Sequence, residues 1–153
     1  MLEAVEGLDK EGVEILRLSN LYRTEPVEAP PQPSFVNAVV SVRCASGLDS
    51  ALELLRICQS IERAAGRERT IPKGSRTLDL DLLLFGNLVV ETDALIVPHS
   101  RLGYRRFVLV PLVELAPEVV DPKSGLTTSE LLARCADTGV VQPWRQPNAV
   151  RSP

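Results

Sequence analysis

Arg76-Thr-Leu-Asp79-Leu-Asp81-Leu-Leu-Leu-Phe-Gly86 decides how this chain is read. Threonine, leucine and phenylalanine in a short run closed by Gly86 predict a β-strand. Side chains alternate along a strand, so Asp79 and Asp81 share one face and Leu78, Leu80 and Leu82 take the other. Aspartate is a poor strand residue, and two on one face repel each other. A divalent cation removes that cost, because hard cations such as Mg²⁺ take carboxylate oxygens. Arg76, just ahead of the strand, carries a fork of donors matched to a phosphate. Metal carboxylates beside a phosphate-binding arginine point to phosphoryl or pyrophosphoryl transfer. On these residues alone, a pair of aspartates facing solvent on a sheet surface is the equal alternative.

Working outward, the strand is preceded by a basic loop, Arg67 to Lys73. Before that loop, Asp49 can cap a helix running to about Ala65, with Leu52, Leu55, Ile57, Cys58 and Ile61 as its apolar stripe. Gly66 ends it. After the strand, Gly86-Asn87 turns the chain and Leu88 to Val90 is the expected hairpin partner. Toward the N-terminus, Leu2, Val5 and Leu8 have helical spacing within Met1 to Lys10. Val13 to Leu21 and the β-branched run Phe35 to Cys44 predict two strands. They are separated by a loop holding Pro26, Pro30, Pro31 and Pro33. Phe107 to Leu115 is apolar, with Pro111 and Pro117 limiting any helix. A last helix begins at Thr128 or Ser129 and runs to about Ala136. The order helix, strand, strand, helix, strand, then helical pieces predicts an α+β fold. It matches a ferredoxin-like βαββαβ sandwich with an antiparallel sheet and with its first strand missing. One domain is expected over residues 1–140, followed by a Pro-rich tail, 141–153, of disorder-prone composition.

Composition narrows the function classes. The 153 residues suffice for one core, and 44% hydrophobic with 24% charged content is ordinary for a soluble globular chain. A net charge of −3 gives no reason to expect a nucleic-acid partner. No apolar run approaches membrane-spanning length, and the N-terminus has no signal-peptide pattern, so a cytoplasmic protein is expected. Cys44, Cys58 and Cys135 are scattered without a CxxC, which indicates small buried hydrophobes rather than zinc or disulfides.

Three further clusters accompany the aspartate segment. They are Tyr22-Arg-Thr-Glu-Pro-Val27 with Phe35-Val-Asn37; Gln59-Ser-Ile-Glu62 with Gly66-Arg67-Glu-Arg69; and Val97-Pro-His99-Ser-Arg-Leu-Gly-Tyr-Arg105-Arg-Phe107 with Pro111-Leu-Val-Glu-Leu-Ala-Pro117. In this order, over about Leu2 to Leu132, the chain resembles the 6-hydroxymethyl-7,8-dihydropterin pyrophosphokinases of folate biosynthesis. The combination of Arg-Thr-Leu-Asp-Leu-Asp with a later Val-Pro-His is specific, although each piece alone is weak.

The resemblance implies transfer of pyrophosphate from ATP to the pterin's hydroxymethyl group, with two Mg²⁺ ions held by Asp79 and Asp81. Arg67, Arg69 and Arg76 would grip phosphates, with Arg105 opposite; Arg67, Arg76 and Arg105 are the implied catalytic residues. Gln59, Glu62 and His99 fall at family positions near the nucleotide. The pterin would bind through Thr24, Val27, Phe35, Asn37 and Phe107. Only small-molecule substrates are implied as partners, with no nucleic acid, no membrane and a monomeric state. Simpler readings stand beside these. Arg67 and Arg69 could complement a helix dipole. Asn37 could mark a bulge, and Phe35 and Phe107 could be plain core. A non-catalytic ferredoxin-like module, or another Mg²⁺-dependent phosphotransferase, is the alternative function.

The chain also departs from the family pattern. Members open with a strand and a Gly-Ser-Asn loop before the first helix, whereas this sequence starts inside that helix. A truncated start is expected, or replacement of the strand by a partner chain or by the tail around Val140 to Trp144. Lys73-Gly74-Ser75 stands where many members have Trp-Gly-Pro, which removes an aromatic cover and adds a cation.

Overall fold

The computed structural model describes residues 1–24, 35–66 and 78–145. The fold is α+β with antiparallel strand ladders, as the sequence pattern predicts, and divides into two units. The chain passes between them repeatedly: residues 1–17, 41–100 and 121–125 make the first, and 18–40, 101–120 and 126–153 the second.

In the first unit, helix α1 (Leu2–Lys10) buries Ala4 and Leu8 one turn apart. Its end is closed by hydrogen bonds from Gly12 N–H to Asp9 O and from Val13 N–H to Leu8 O. Gly12, at φ +79°, supplies the left-handed residue this closure requires. Helix α2 (Leu48–Gly66) buries Ala51, Leu54, Ile57, Cys58 and Ile61; the last three belong to the expected stripe, whereas Leu52 is exposed and Leu55 half-buried, so the buried face is turned toward Ala51 and Leu54. It starts one residue before Asp49, which therefore lies in the first turn, where a carboxylate complements the dipole. Strands β1 (Glu14–Leu18) and β4 (Val40–Arg43) pair in a two-stranded sheet. A hairpin of β5 (Val90–Glu91) and β6 (Ile96–Val97) completes the unit, with Lys123 paired to Glu91.

In the second unit, β2 (Tyr22–Thr24) is the centre of a three-stranded antiparallel sheet. It lies between β3 (Phe35–Asn37) and β7 (Val141–Pro143). A short 3₁₀ turn, Leu102–Tyr104, leads into helix α3 (Arg106–Leu115), which packs on all three strands and on helix α4 (Thr128–Arg134). Thr127 caps α4, accepting from Glu130 N–H while the Glu130 carboxylate accepts from Thr127 N–H. Thr128 is fully buried, its hydroxyl donating to Ala116 O.

Several elements differ from expectation. The aspartate segment forms no strand over its described part, 78–85. Its main chain bonds elsewhere: Leu80 N–H donates to Glu62 Oε1 at 2.7 Å, and Leu83 O accepts from His99 N–H at 2.9 Å. The turn after it is present, with Gly86 at φ +53° and Leu88 N–H bonded to Phe85 O, but the chain beyond pairs Val90–Glu91 with Ile96–Val97 instead. The run Val13 to Leu21 is a strand only over Glu14–Leu18, with β2 starting just beyond it at Tyr22, and the run Phe35 to Cys44 is split into β3 and β4. Ser19 and Val39 meet at the breaks, where Ser19 N–H donates to Val39 O and the Ser19 hydroxyl accepts from Val39 N–H. A side chain thus replaces one ladder partner. Pro111 lies inside α3 rather than ending it. The bond it cannot make to the Phe107 carbonyl is offset by burial of Leu109, Pro111, Leu112 and Leu115. Val141–Pro143 pairs with β2, and Trp144 N–H bonds to Leu21 O, extending the same ladder.

Gly7 of α1 lies directly against α2, since a Cβ built there would stand 2.9 Å from Ile61 Cγ1. Alanine is the better helix former by about 1 kcal/mol, but Ile61 is buried and β-branched and cannot swing away. Gly7→Ala should therefore lower stability by about 1–2 kcal/mol in urea unfolding, and Ile61→Val in the same chain should recover part of that loss. A more stable Gly7→Ala variant would contradict the packing described.

Candidate active site

The carboxylates of the first unit are arranged by three anchors. Glu62, half-buried on α2, takes the Leu80 N–H. Leu82 and Phe85 pack against Ala51, Leu95 and Val97, the last two from the β5–β6 hairpin region. His99 holds Leu83 by its main chain. Between these anchors the burial alternates, with Leu78, Leu80 and Leu82 half-buried and Asp79 and Asp81 exposed. The shared face inferred for the two aspartates is thus kept without a strand ladder. His99 Nε2 stands 4.0 Å from Asp81 Oδ2, beyond hydrogen-bonding distance but close enough to pair when the imidazole is protonated. Gln59 is exposed three residues before Glu62, on the same side of α2.

Negative charge here is felt by a neighbour. Burial, with the charges of Glu62, Cys44 and Asp81 adding to it, pushes the Cys58 thiol up to about 11. A thiol so placed is an inert packing group. Among the described residues no three His, Cys, Asp and Glu side chains gather into a metal-ligand set. Exposed carboxylates of this kind suit Mg²⁺, which retains waters and completes its shell with substrate phosphates. They do not suit zinc, which asks for a closed nitrogen and sulfur set.

The second unit presents a different surface. Antiparallel partners share a face, so the register Tyr22↔Asn37 and Thr24↔Phe35 puts these four side chains together. Asn37 Nδ2 donates to Thr24 Oγ1 at 2.9 Å, which fixes the amide's orientation. Thr24 is buried, Asn37 half-buried and Phe35 45% exposed. Asn37 therefore belongs to a regular ladder and not to a bulge. Arg105 precedes α3 and lies over the Phe107 ring, 5.7 Å from its centroid, a cation–π contact that presents an aromatic face and a charge together. Asp137 accepts the Arg106 N–H at the start of the same helix.

Val27, Arg67, Arg69 and Arg76 lie outside the described residues. Two groups escaped the sequence reading as individuals. Glu114 on α3 accepts from Asn20 and Tyr22, and Asp137 caps α3. Glu114 sat within a quoted cluster as the one acid in an apolar helix, and that placement was its signal.

A family model described as 7,8-dihydro-6-hydroxymethylpterin-pyrophosphokinase matches residues 1–117. The chain belongs to this pyrophosphokinase family. It is similar to the 2-amino-4-hydroxy-6-hydroxymethyldihydropteridine pyrophosphokinase of Haemophilus influenzae, 37% identical over 92% of this chain and 84% of that protein. The Synechocystis protein of the same name is 43% identical over 84% of this chain and 64% of its own length. The folic acid synthesis protein fol1 of Schizosaccharomyces pombe is 42% identical over 85% of this chain and 17% of its own. The chain thus spans less than two thirds of the latter two relatives. No helix among the described residues is long and apolar enough to cross a membrane.

The Glu62 contact can be probed alone. Glu62→Ala leaves the Leu80 N–H without its acceptor, which should cost about 1–3 kcal/mol and speed hydrogen exchange at the Leu80 amide. Glu62→Gln keeps a carbonyl acceptor and should cost less. Equal exchange in all three chains would remove the anchor.

Proposed function

We propose that the chain transfers pyrophosphate from ATP to the hydroxymethyl group of 6-hydroxymethyl-7,8-dihydropterin, yielding the pterin diphosphate and AMP, a step of folate biosynthesis. The observation that carries this reading is the exposed Asp79–Asp81 pair, fixed between Glu62 and His99 in a chain of the pyrophosphokinase family. Such a pair has the donor chemistry of a Mg²⁺–triphosphate site.

In this reading Asp79 and Asp81 would hold two Mg²⁺ ions. Bound there, Mg²⁺ supplies charge neutralisation on the triphosphate. Arg67, Arg69 and Arg76 grip phosphate oxygens by bidentate hydrogen bonds, and Arg105 adds positive charge held against Phe107. Charge grows on the leaving AMP oxygen and spreads over the transferring group, and arginines that bind that charge lower the barrier. Gln59, Glu62 and His99 lie on the nucleotide side. Thr24, Val27, Phe35, Asn37 and Phe107 receive the pterin, whose fused ring carries both donors and acceptors. The amide of Asn37, oriented by Thr24, matches such an edge, and the aromatic rings offer flat apolar surface. No side chain is assigned as general base. Holding the hydroxyl in line with phosphorus supplies a large part of the rate. We further propose that the chain works as a cytoplasmic monomer, with small molecules as its only partners and no nucleic acid among them.

The test is AMP release from the purified chain with Mg²⁺, ATP and the hydroxymethyl pterin. Asp79→Ala and Asp81→Ala should each abolish turnover while circular dichroism stays unchanged. Arg76→Ala and Arg105→Ala should lower kcat by about two orders of magnitude with a smaller change in pterin affinity, as befits groups that meet transition-state charge. Full turnover in either aspartate variant would sink the metal assignment. Folded chain that binds Mg²⁺ and ATP yet releases no AMP would overturn the reading.

A further inference from the structure

Glu114 sits two helical turns beyond Phe107 on α3, a spacing of seven residues that puts both on one side of the helix. Its carboxylate gathers four hydrogen bonds from the start of β2. Oε1 accepts from Asn20 N–H at 3.0 Å and from Asn20 Nδ2 at 2.8 Å. Oε2 accepts from Asn20 N–H at 3.2 Å and from Tyr22 O–H at 2.6 Å. The hydrogen bond to this carboxylate, with burial and the negative charge adding to it, pushes the Tyr22 hydroxyl up to about 12, so it remains a donor at any physiological pH.

Two facts make this clamp consequential. The β2–β3 ladder is only three residues long, and so short a pairing specifies its own register weakly. A slip of one residue would turn Thr24 and Asn37 to opposite faces. Pro111, between Phe107 and Glu114, removes the main-chain bond to the Phe107 carbonyl, so the ladder of α3 is interrupted between the two residues. Gripping Asn20 and Tyr22 together fixes the register of β2 and the rotation of α3 at once. Because the donors meet a charged acceptor, each bond is stronger than a neutral one despite its exposure.

We propose that Glu114 is a positioning residue for the pterin. Resting on the pyrophosphokinase reading, it holds Thr24 and Asn37 on β2 and β3 in fixed relation to Phe107 on α3, and so sets affinity for the ring while leaving the nucleotide untouched.

The test compares wild type, Glu114→Ala, Glu114→Gln and Tyr22→Phe in AMP release, with KM measured separately for pterin and ATP. Glu114→Ala should raise the pterin KM at least about tenfold while the ATP KM moves less than about twofold. Glu114→Gln should recover most of the loss, because its carbonyl keeps the Asn20 bonds and its amide can donate to the Tyr22 oxygen. Tyr22→Phe should raise the pterin KM by a smaller factor, and adding it to Glu114→Ala should change nothing more. Equal shifts in both KM values, or a glutamine variant as impaired as alanine, would overturn the proposal and leave Glu114 a general structural group. If Glu114→Ala does not fold, Tyr22→Phe decides, since an unchanged pterin KM there overturns it. Wild-type chain that makes no AMP defeats the pyrophosphokinase reading, and this proposal with it. Active wild type with an unmoved pterin KM in the variants defeats this proposal alone.

Discussion

The bond from Leu80 N–H to the Glu62 carboxylate, at 2.7 Å, is the constraint on which the arrangement of the first unit rests. The segment that carries Asp79 and Asp81 has no strand ladder among the described residues, so its course is set by this bond, by Leu82 and Phe85 in the apolar cluster, and by the His99 N–H on Leu83. Each anchor comes from a different part of the sequence: α2, the apolar run itself, and the turn after β6. Together they point alternate side chains outward, which a sheet would otherwise have done through its ladder.

Magnitudes show why the two aspartates can stay where they are. Residues two apart on extended chain lie roughly 7 Å from each other. At the dielectric of an exposed surface their repulsion is on the order of 1 kcal/mol. Domain stability absorbs a penalty of that size. The pair is therefore compatible with a folded chain. Burying the pair would have raised the penalty several-fold and driven one carboxyl to hold its proton. Both aspartates instead stand exposed.

Much of this was legible in the sequence, and for identifiable reasons. Helices α1 and α2 were legible from their 3.6-residue period, but their buried faces only in part: Leu8, Ile57, Cys58 and Ile61 are buried as expected, whereas Leu2 and Leu52 are exposed and Ala4, Ala51 and Leu54 take the inner face. The facing of Asp79 and Asp81 followed from simple alternation. What failed were inferences that need a partner distant in sequence. The breaks at Ser19 and Val39 arise because one side-chain hydroxyl replaces a ladder acceptor, and nothing local to either run signals that. The hairpin beyond Gly86 instead joins Val90–Glu91 to Ile96–Val97, with Leu95 and Val97 buried beside Ala51 and with Leu88 and Val90 packed against them. Pro111 inside α3 shows tertiary burial overriding a local penalty of about 3 kcal/mol.

The acids of this chain sort by what they accept. Glu62, Glu114, Glu130 and Asp137 each take a main-chain N–H, and each thereby joins two stretches of backbone. Their charge is engaged in holding the fold, and a substrate cannot claim it without loosening a strand or a helix end. Asp81 differs. Its side chain is 57% exposed, and the imidazole beside it stands 4.0 Å off, a distance that biases position without occupying the oxygens. The same sorting separates acids whose loss should show first in stability from those whose loss should show first in chemistry, and it does so from the identity of the donor alone.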